Sequence, residues 1–241
     1  MTRILAHRGP DGEGVWLDGA IGLGNRRLAI RDPGEAGRQP MRDDDGRATV
    51  VFNGEIYNVE ALMGDIARET GWVFRSRCDT EVVLAGWLAW EDALFTRLDG
   101  MFALAVWDAR AGRLVLARDG AGIKPLYLHR SPAALMFASE IKSFVAAGAD
   151  DPVVEPAALH AFLAQGHVAP DRTLFAHIRP LAPGGVLSVD AGGMRESRFW
   201  KPSRSGEIRR LGEAAEAFQA VWSRVVPDHL ASDVPVGVLQ S

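Results

Sequence analysis

The side chains that could carry out covalent chemistry are few, and the thiol of Cys78 is the first to consider. It is the only cysteine among the 241 residues. Arg75 and Arg77 lie close to it in sequence, but no nearby histidine could act as its base. Because a lone cysteine is more often a buried, inert side chain, Cys78 by itself does not predict a nucleophilic site.

Polar residues at three other places invite both a structural and a chemical interpretation. The pair Asn53-Gly54 is typical of turns. Asp79 stands where a helix N-cap is wanted. Arg26 and Arg27 lie on opposite faces of a predicted strand, so only one of them can reach a given pocket. The six histidines show no metal-ligand spacing, and we therefore predict no metal site.

Strand patterns dominate the first 140 residues. Asp18-Gly19 between apolar runs predicts a hairpin within 15–30, because both residue types tolerate the positive φ of a tight turn. Further strands are predicted over 48–56, 101–108, 113–118, 124–130 and 134–139. Both faces of 101–108 are apolar, which indicates that this strand is covered on both sides. Many short hairpins favour antiparallel sheets with helices packed outside.

Helical spacing of apolar residues predicts two helices between these strands and one near the end of the chain. The first covers about 59–70, with Asn58 as its cap and Gly71 at its end, and the second covers about 80–90. After a polar linker, an amphipathic helix runs from Leu211 and stops at Pro227. Residues 234–239 have the pattern of a short buried strand.

Composition excludes several classes of protein. The 27 basic and 31 acidic residues give a net charge of −4, without a basic cluster typical of nucleic-acid or membrane partners. One cysteine excludes an internal disulfide framework. No apolar run is long enough for a signal peptide or a membrane span. The default expectation is a cytoplasmic protein of one or two globular domains.

Eight sequence motifs occur in an order that carries a resemblance. They are HRGPDGEG, RRLAI with Asp32, Gln39-Pro40-Met41, FNGEIYN, CDTEV, LDGMFALAVWD, ARDGAGIKPLY and FASEIKS. Together they resemble the glutamine-hydrolysing half of glutamine-dependent asparagine synthetases over roughly residues 5–200. The later SDVPVGVLQS resembles the run that leads into that family's nucleotide loop.

The resemblance implies an α+β fold, a four-layer αββα sandwich of antiparallel sheets of the N-terminal-nucleophile hydrolase type, lacking its first strand. Residues 1–200 would form the amidotransferase domain. Residues 201–241 would hold the linker, helix and first strand of a truncated α/β synthetase domain. Because a missing strand leaves unpaired edges, we expect the isolated chain to be aggregation-prone or partly molten.

The resemblance also assigns roles to five residues. The side-chain amide of Asn53 and the backbone N–H of Gly54 would form the oxyanion hole for hydrolysis of the glutamine amide. Glu55 and Asp79 would hold the α-ammonium group of glutamine. Arg27 would bind the α-carboxylate as a planar fork. The predicted substrate is therefore free glutamine.

The reactive group is the main departure from this pattern. The family uses an N-terminal cysteine whose own α-amine is the base, whereas this sequence starts at Met1. If Met1 is removed, Thr2 becomes an N-terminal nucleophile candidate, but it stands only five residues before His7. In the family a strand and a helix separate the nucleophile from that motif. We expect the chain alone to hydrolyse glutamine negligibly.

Three functions fit the resemblance. The favoured one is a fragment of an asparagine synthase, which uses glutamine-derived ammonia for ATP-dependent amidation of aspartate. The second is a degenerate, non-catalytic amidotransferase scaffold, although such a domain has no reason to keep Arg27, Asn53, Glu55 and Asp79 together. The third is transfer of ammonia to another acceptor. No cofactor is expected for this chain; ATP and Mg²⁺, and a homodimer, are expected for the intact parent.

Overall fold

The computed structural model describes residues 1–149, 153–203, 206, 210–230 and 232–237. Within these residues the fold is α+β, and every strand pair is antiparallel. The strands are β1 Gly12–Asp18, β2 Ile21–Arg27, β3 Met41–Arg42, β4 Ala48–Ile56, β5 Gly100–Asp108, β6 Arg113–Arg118, β7 Tyr127–Arg130, β8 Leu135–Ala138, β9 Ile178–Pro180, β10 Gly185–Asp190 and β11 Gly193–Arg198. The helices are α1 Val59–Thr70, α2 Asp79–Trp90, α3 Lys142–Ala146, α4 Pro156–Gln165 and α5 Leu211–His229.

A six-stranded sheet, ordered β11-β10-β6-β5-β4-β3, forms the centre of the molecule. Strand β5 is covered on both faces, as predicted from its sequence. Phe102 and Val106 pack in the core shared with α1 and α2, whereas Ala103 and Ala105 belong to the core on the opposite face. The apolar alternation along one strand therefore fixes two separate cores.

The second sheet layer consists of two pieces, the β1–β2 hairpin and the three-stranded sheet β8-β7-β9. Leu23 of β2 and Leu128 of β7 both pack against the central sheet. On the outer side of the three-stranded sheet, Phe144 of α3 packs with Ala138 and Ile178. The layers follow the predicted order of helix, sheet, sheet and helix.

The prediction for β4 matches its observed bounds, and α1 has the predicted ends. Gly71 ends α1 in the left-handed conformation, with φ of 73°. Asn58 occupies the N-cap position of α1, as predicted, but its side chain makes no capping hydrogen bond. Its amide donates to the carbonyl oxygen of Arg97 at 2.9 Å and accepts from the N–H of Asp99 at 3.1 Å. The side chain is therefore used to fasten the loop before β5.

The β1–β2 turn lies one residue later than predicted. Asp18 pairs with Ile21 as the last residue of β1, so Gly19 and Ala20 form the turn. Among these turn residues the positive φ, 54°, belongs to Gly19. Glycine takes this conformation without the steric cost that a β-carbon would add.

The predicted end of the last helix is wrong, because α5 continues through Pro227 to His229. Pro227 removes one helical hydrogen bond, but only two residues of α5 follow it, so the helix ends soon after the proline. Residues 234–237 lie outside any strand, which contradicts the predicted strand there, and 238–239 lie outside the described residues. A strand needs a neighbour to pair with, and the described residues offer none to this segment.

A cluster of ionic groups fastens the start of the chain to the loop between β8 and α3. The carboxylate of Glu140 accepts from Nζ of Lys142 at 2.9 Å, and it lies 3.0 Å from Nε2 of His7 and 3.2 Å from Nη1 of Arg8. Partial burial opposes ionisation, but these hydrogen bonds lower the pKa of Glu140 from 4.5 to about 2.

This lowered pKa predicts a pH-dependent stability. The Glu140 contribution is complete above pH 4.5, the ordinary pKa of the group, and is lost as the pH falls toward about 2. We therefore expect Glu140→Gln to lower the free energy of unfolding at pH 5 and to have a smaller effect at pH 3. Urea unfolding of both proteins at the two pH values measures this. An equal difference at both would contradict the assignment.

Candidate functional site

A cavity of about 520 Å³ lies between the central sheet and the second sheet layer. The free edges of β2 and β8 both line it, and β4 and β5 contribute from the central sheet. All five predicted site residues line this cavity: Arg27, Asn53, Gly54, Glu55 and Asp79. They come from the end of β2, the end of β4 and the first turn of α2. The fold thus brings together residues that lie up to 52 positions apart in sequence (79 − 27).

Asn53 and Gly54 are consecutive residues of β4, so the interpretation of this pair as a turn is wrong. Nδ2 of Asn53 lies 3.5 Å from Oγ of Ser139, which also lines the cavity. A β-carbon at Gly54 would lie 2.2 Å from the carbonyl oxygen of Met101 and 2.8 Å from Cα of Phe102. Glycine is therefore required here by the close approach of β4 to β5.

Gly100 provides a matched control for Gly54. A β-carbon there would lie 2.2 Å from the carbonyl oxygen of Glu55, so it would meet β4 as closely as one at Gly54 would meet β5. Gly54 lines the cavity, whereas Gly100 is absent from its lining. Substitutions at the two positions therefore distinguish an effect on the packing of β4 against β5 from an effect on the cavity.

We expect both Gly54→Ala and Gly100→Ala to lower the free energy of unfolding by about 1–3 kcal/mol, the usual cost of overpacking. Only Gly54→Ala should also weaken ligand binding in the cavity. Urea unfolding and titration with glutamine measure the two effects. A Gly54→Ala protein as stable as the original would show that the two strands separate without cost.

Glu55 and Asp79 form a pair of carboxylates at the closed side of the site. The Asp79 side chain is 6% exposed and that of Glu55 is 12% exposed. Burial raises the pKa of both carboxyl groups, and the positive charge of Arg31 opposes that rise. Among the described residues, Oε1 of Glu55 and Oδ1 of Asp79 are buried without a hydrogen-bond partner. Such oxygens are suited to receive a charged donor from a ligand.

The interpretation of Asp79 as a helix N-cap is wrong, because Cys78 occupies the cap position and Asp79 is the first residue of α2. Oδ2 of Asp79 instead accepts a hydrogen bond from the N–H of Ile56 at 2.7 Å. This bond fixes the start of α2 against the end of β4. The other carboxylate oxygen, Oδ1, is buried and lies 3.6 Å from Nη1 of Arg31.

Arg27 lines the cavity, but most N–H donors of its guanidinium form hydrogen bonds with the loop that follows β2. Nη1 donates to the carbonyl oxygen of Gly34 at 2.7 Å. Nη2 donates to those of Arg31 at 3.2 Å and Asp32 at 2.5 Å. Three of its five N–H groups are used in this way, so two stay available for a carboxylate. Arg26 lines the cavity as well, so the prediction that only one of the two arginines reaches a given pocket is wrong; Arg26 pairs with Glu13 at 2.9 Å.

Arg31 is a site residue that the sequence did not indicate. Its Nη1 donates to the carbonyl oxygen of Ile56 at 3.1 Å and lies 3.6 Å from Oδ1 of Asp79. Its Nε lies 3.6 Å from Oε1 of Glu55. Lys124 also lines the cavity, and burial lowers its pKa. Apart from its position four residues after Arg27, nothing in the sequence pointed to Arg31.

Both nucleophile candidates from the sequence line the same cavity. Cys78 is 6% exposed. The hydroxyl of Thr2 donates to Oε1 of Glu13 at 2.9 Å. Neither group makes a hydrogen bond to a histidine among the described residues. The described part of the chain also holds no group of three or more His, Cys, Asp or Glu residues placed to bind a metal.

Comparison with known proteins shows the family to which the chain belongs. Residues 1–200 match the sequence pattern of the glutamine amidotransferase domain. The chain belongs to this family. It is 32% identical to asparagine synthetase (glutamine-hydrolyzing) 3 of Bacillus subtilis (strain 168), over 98% of this chain and 39% of the relative. It is also 32% identical to the amidase chry2 of Gibberella zeae, over 99% of this chain and 36% of that protein.

A solved structure supports the fold. The glutamine phosphoribosylpyrophosphate amidotransferase from B. subtilis, complexed with ADP and GMP, superposes with a TM-score of 0.56 at 21% identity. The superposition covers 75% of this chain and 35% of that one. The chain spans less than two fifths of the length of the relatives named above. None of its described helices has the length and apolar character needed to cross a membrane.

Proposed function

We propose that this domain binds free L-glutamine in the cavity and forms the glutamine-hydrolysing half of an asparagine synthase. The α-ammonium group lies against Glu55 and Asp79, the α-carboxylate against Arg27, and the side-chain amide against Asn53 and Gly54. The observation that carries this proposal is the buried pair of carboxylates, each with an oxygen that lacks a hydrogen-bond partner among the described residues. Because such oxygens are costly to bury, a positively charged donor in the ligand stabilises them.

The arrangement explains selection of a free amino acid. A glutamine residue within a protein has no α-ammonium group and no α-carboxylate, so it would leave both charged ends of the site without partners. The loss of a buried charge partner is far more costly than the loss of a contact at the surface. The site therefore separates free glutamine from peptide-bound glutamine through charge rather than through shape.

In the whole protein, the ammonia released would be used for ATP-dependent amidation of aspartate, with ATP and Mg²⁺ bound by the synthetase part. The asparagine synthetase relative supports aspartate as the acceptor. A different acceptor is the second candidate, because the synthetase part that would bind the acceptor lies outside the amidotransferase domain. Both candidates share the same glutamine chemistry. They differ only in the acceptor.

Hydrolysis needs a nucleophile that reaches the glutamine amide beside Asn53 and Gly54. The decisive experiment fuses an N-terminal segment of an active family member, beginning with cysteine, before Arg3 in register. The fused protein is expected to release glutamate from glutamine at an ordinary enzymatic rate, about 1–10³ s⁻¹. The chain without the fused segment is measured in parallel, and Thr2→Ala tests whether Thr2 contributes to any activity that it shows.

If the fused protein folds and never hydrolyses glutamine, the non-catalytic scaffold replaces this proposal. Folding is checked separately by a cooperative urea transition, so that an unfolded fusion is not mistaken for an inactive one. A fusion whose cysteine is replaced by alanine gives the matched control. It shares every contact of the active protein except the thiol.

A further inference from the structure

Arg31 lies between the two carboxylates that the proposed function assigns to the ammonium group. Its guanidinium lies 3.6 Å from one oxygen of each, slightly farther than an ordinary hydrogen bond. Its hydrogen bond goes to the carbonyl oxygen of Ile56, the residue whose N–H is bound by Asp79. Arg31 is thus close enough to neutralise charge, but it leaves lone pairs of Glu55 and Asp79 for another donor.

We propose that Arg31 is the permanent counter-ion of the Glu55–Asp79 pair and positions both carboxylates for one primary ammonium group. Two carboxylates and one guanidinium carry a net charge of −1, which a single ammonium group neutralises. This inference rests on the proposed glutamine site and adds to it a residue that sets the charge of the ammonium subsite.

Other charged groups near the pair do not replace Arg31. Glu55 faces Arg31, Asp79, Lys124 and the His229 ring, whereas Arg31 is the cation that acts on Asp79. Burial disfavours the charged form of Lys124, which weakens it as a counter-ion. Among the described residues, Arg31 is the one cation that lies within 4.0 Å of both carboxylates.

The loop that carries Arg31 is fastened from two sides. On one side, Arg27 donates to the carbonyl oxygens of Arg31 and Asp32. On the other side, the carboxylate of Asp233 accepts a hydrogen bond from the backbone N–H of Asp32 at 2.8 Å. The backbone N–H of Asp233 donates to the carbonyl oxygen of Ile30 at 3.1 Å. Hydrogen bonds therefore fix the backbone on both sides of Arg31, and this helps to position its guanidinium.

The test compares the full chain with Arg31→Gln, Arg31→Lys and Arg26→Gln. Arg26 is the matched control because it also lines the cavity, but its carboxylate partner is Glu13. Carbon-13 NMR of the side-chain carboxyl groups follows the titration of Glu55 and Asp79 in each protein. Calorimetry with L-glutamine at pH 6 and pH 8 gives the affinity.

In Arg31→Gln we expect the titration midpoints of both carboxyl groups to rise by about 1–3 pH units, the usual effect of losing an opposite charge at this distance. Because the ammonium group needs ionised carboxylates, glutamine binding should then weaken about tenfold or more between pH 8 and pH 6. Arg31→Lys keeps the positive charge and should raise the midpoints less than Arg31→Gln does, whereas Arg26→Gln should stay close to the original protein in both measurements.

Unchanged midpoints in Arg31→Gln would overturn the inference, whether or not glutamine binds. Raised midpoints with an unchanged pH profile of binding would also overturn it, because the pair would not hold the ammonium group. If the original chain binds no glutamine while the midpoints rise, the counter-ion role stands and the proposed substrate fails. The NMR titration therefore separates failure of this inference from failure of the proposed function.

Discussion

Replacing Asn53 with alanine in the fused, cysteine-bearing protein is expected to lower kcat for glutamine hydrolysis by about 10²–10³, with a modest change in KM. The amide of Asn53 lies in the cavity with Ser139 as its hydrogen-bond neighbour, at a distance of 3.5 Å. Negative charge develops on the amide oxygen of glutamine only as the nucleophile adds. A donor to that oxygen therefore stabilises the transition state more than bound glutamine.

Steady-state kinetics of the fused protein measure this effect. Ser139→Ala is the matched control, because it removes the neighbour of Asn53 and leaves the predicted oxyanion donor in place. Its kcat should change much less. An Asn53→Ala protein with unaltered kcat would show that another group binds the oxyanion.

The second large effect is expected for Asp79→Asn, which should raise KM at least about 30-fold while kcat changes less. Loss of a buried charge partner costs about 2 kcal/mol or more, and that energy corresponds to a factor of about 30 in affinity. The asparagine side-chain oxygen can still accept from the N–H of Ile56, so the start of α2 should stay in place. The substitution therefore removes charge rather than structure.

Glu81→Gln provides the control for Asp79→Asn. Glu81 is a buried acid of the same helix, but it accepts from the backbone N–H groups of Arg75 and Ser76, and it is absent from the cavity lining. It should leave KM unchanged. Arg27→Ala should raise KM as Asp79→Asn does, because the α-carboxylate of glutamine would lose its partner. An unchanged KM in either site variant would contradict the residue's assigned role.

Local signals in the sequence predicted the elements that position the site. The bounds of β4 followed from an apolar run, and the end of α1 followed from Gly71, whose left-handed conformation few other residues adopt. The two apolar faces of β5 predicted its place between two cores. In each case the residues that decide the structure are neighbours in sequence.

The failures concern partners that are distant in sequence. Asn58 is a favourable N-cap by residue type, but its side chain forms hydrogen bonds with the backbone of Arg97 and Asp99 instead of with the first turn of α1. Arg31 reaches Glu55 and Asp79 only because the loop after β2 folds over the end of β4. No periodicity or residue pair within a short window contains that information.

The sequence also did not predict that most N–H donors of Arg27 bond to backbone carbonyl groups. Its residue type and motif predicted a carboxylate partner, whereas three of its donors hold backbone carbonyl groups of the 31–34 loop. The choice depends on the path of that loop. Its role toward glutamine stays a prediction, and the kinetics of Arg27→Ala test it.

Binding of L-glutamine to the unmodified chain tests the central claim most directly, because it needs no nucleophile. Calorimetry at pH 8 should show saturable binding of L-glutamine and much weaker binding of 4-carbamoylbutanoate, which has the same amide and carboxylate but no α-ammonium group. That difference is the predicted consequence of the Glu55–Asp79 pair. Equal affinity for the two compounds, or no binding of glutamine by the folded chain, would contradict the account.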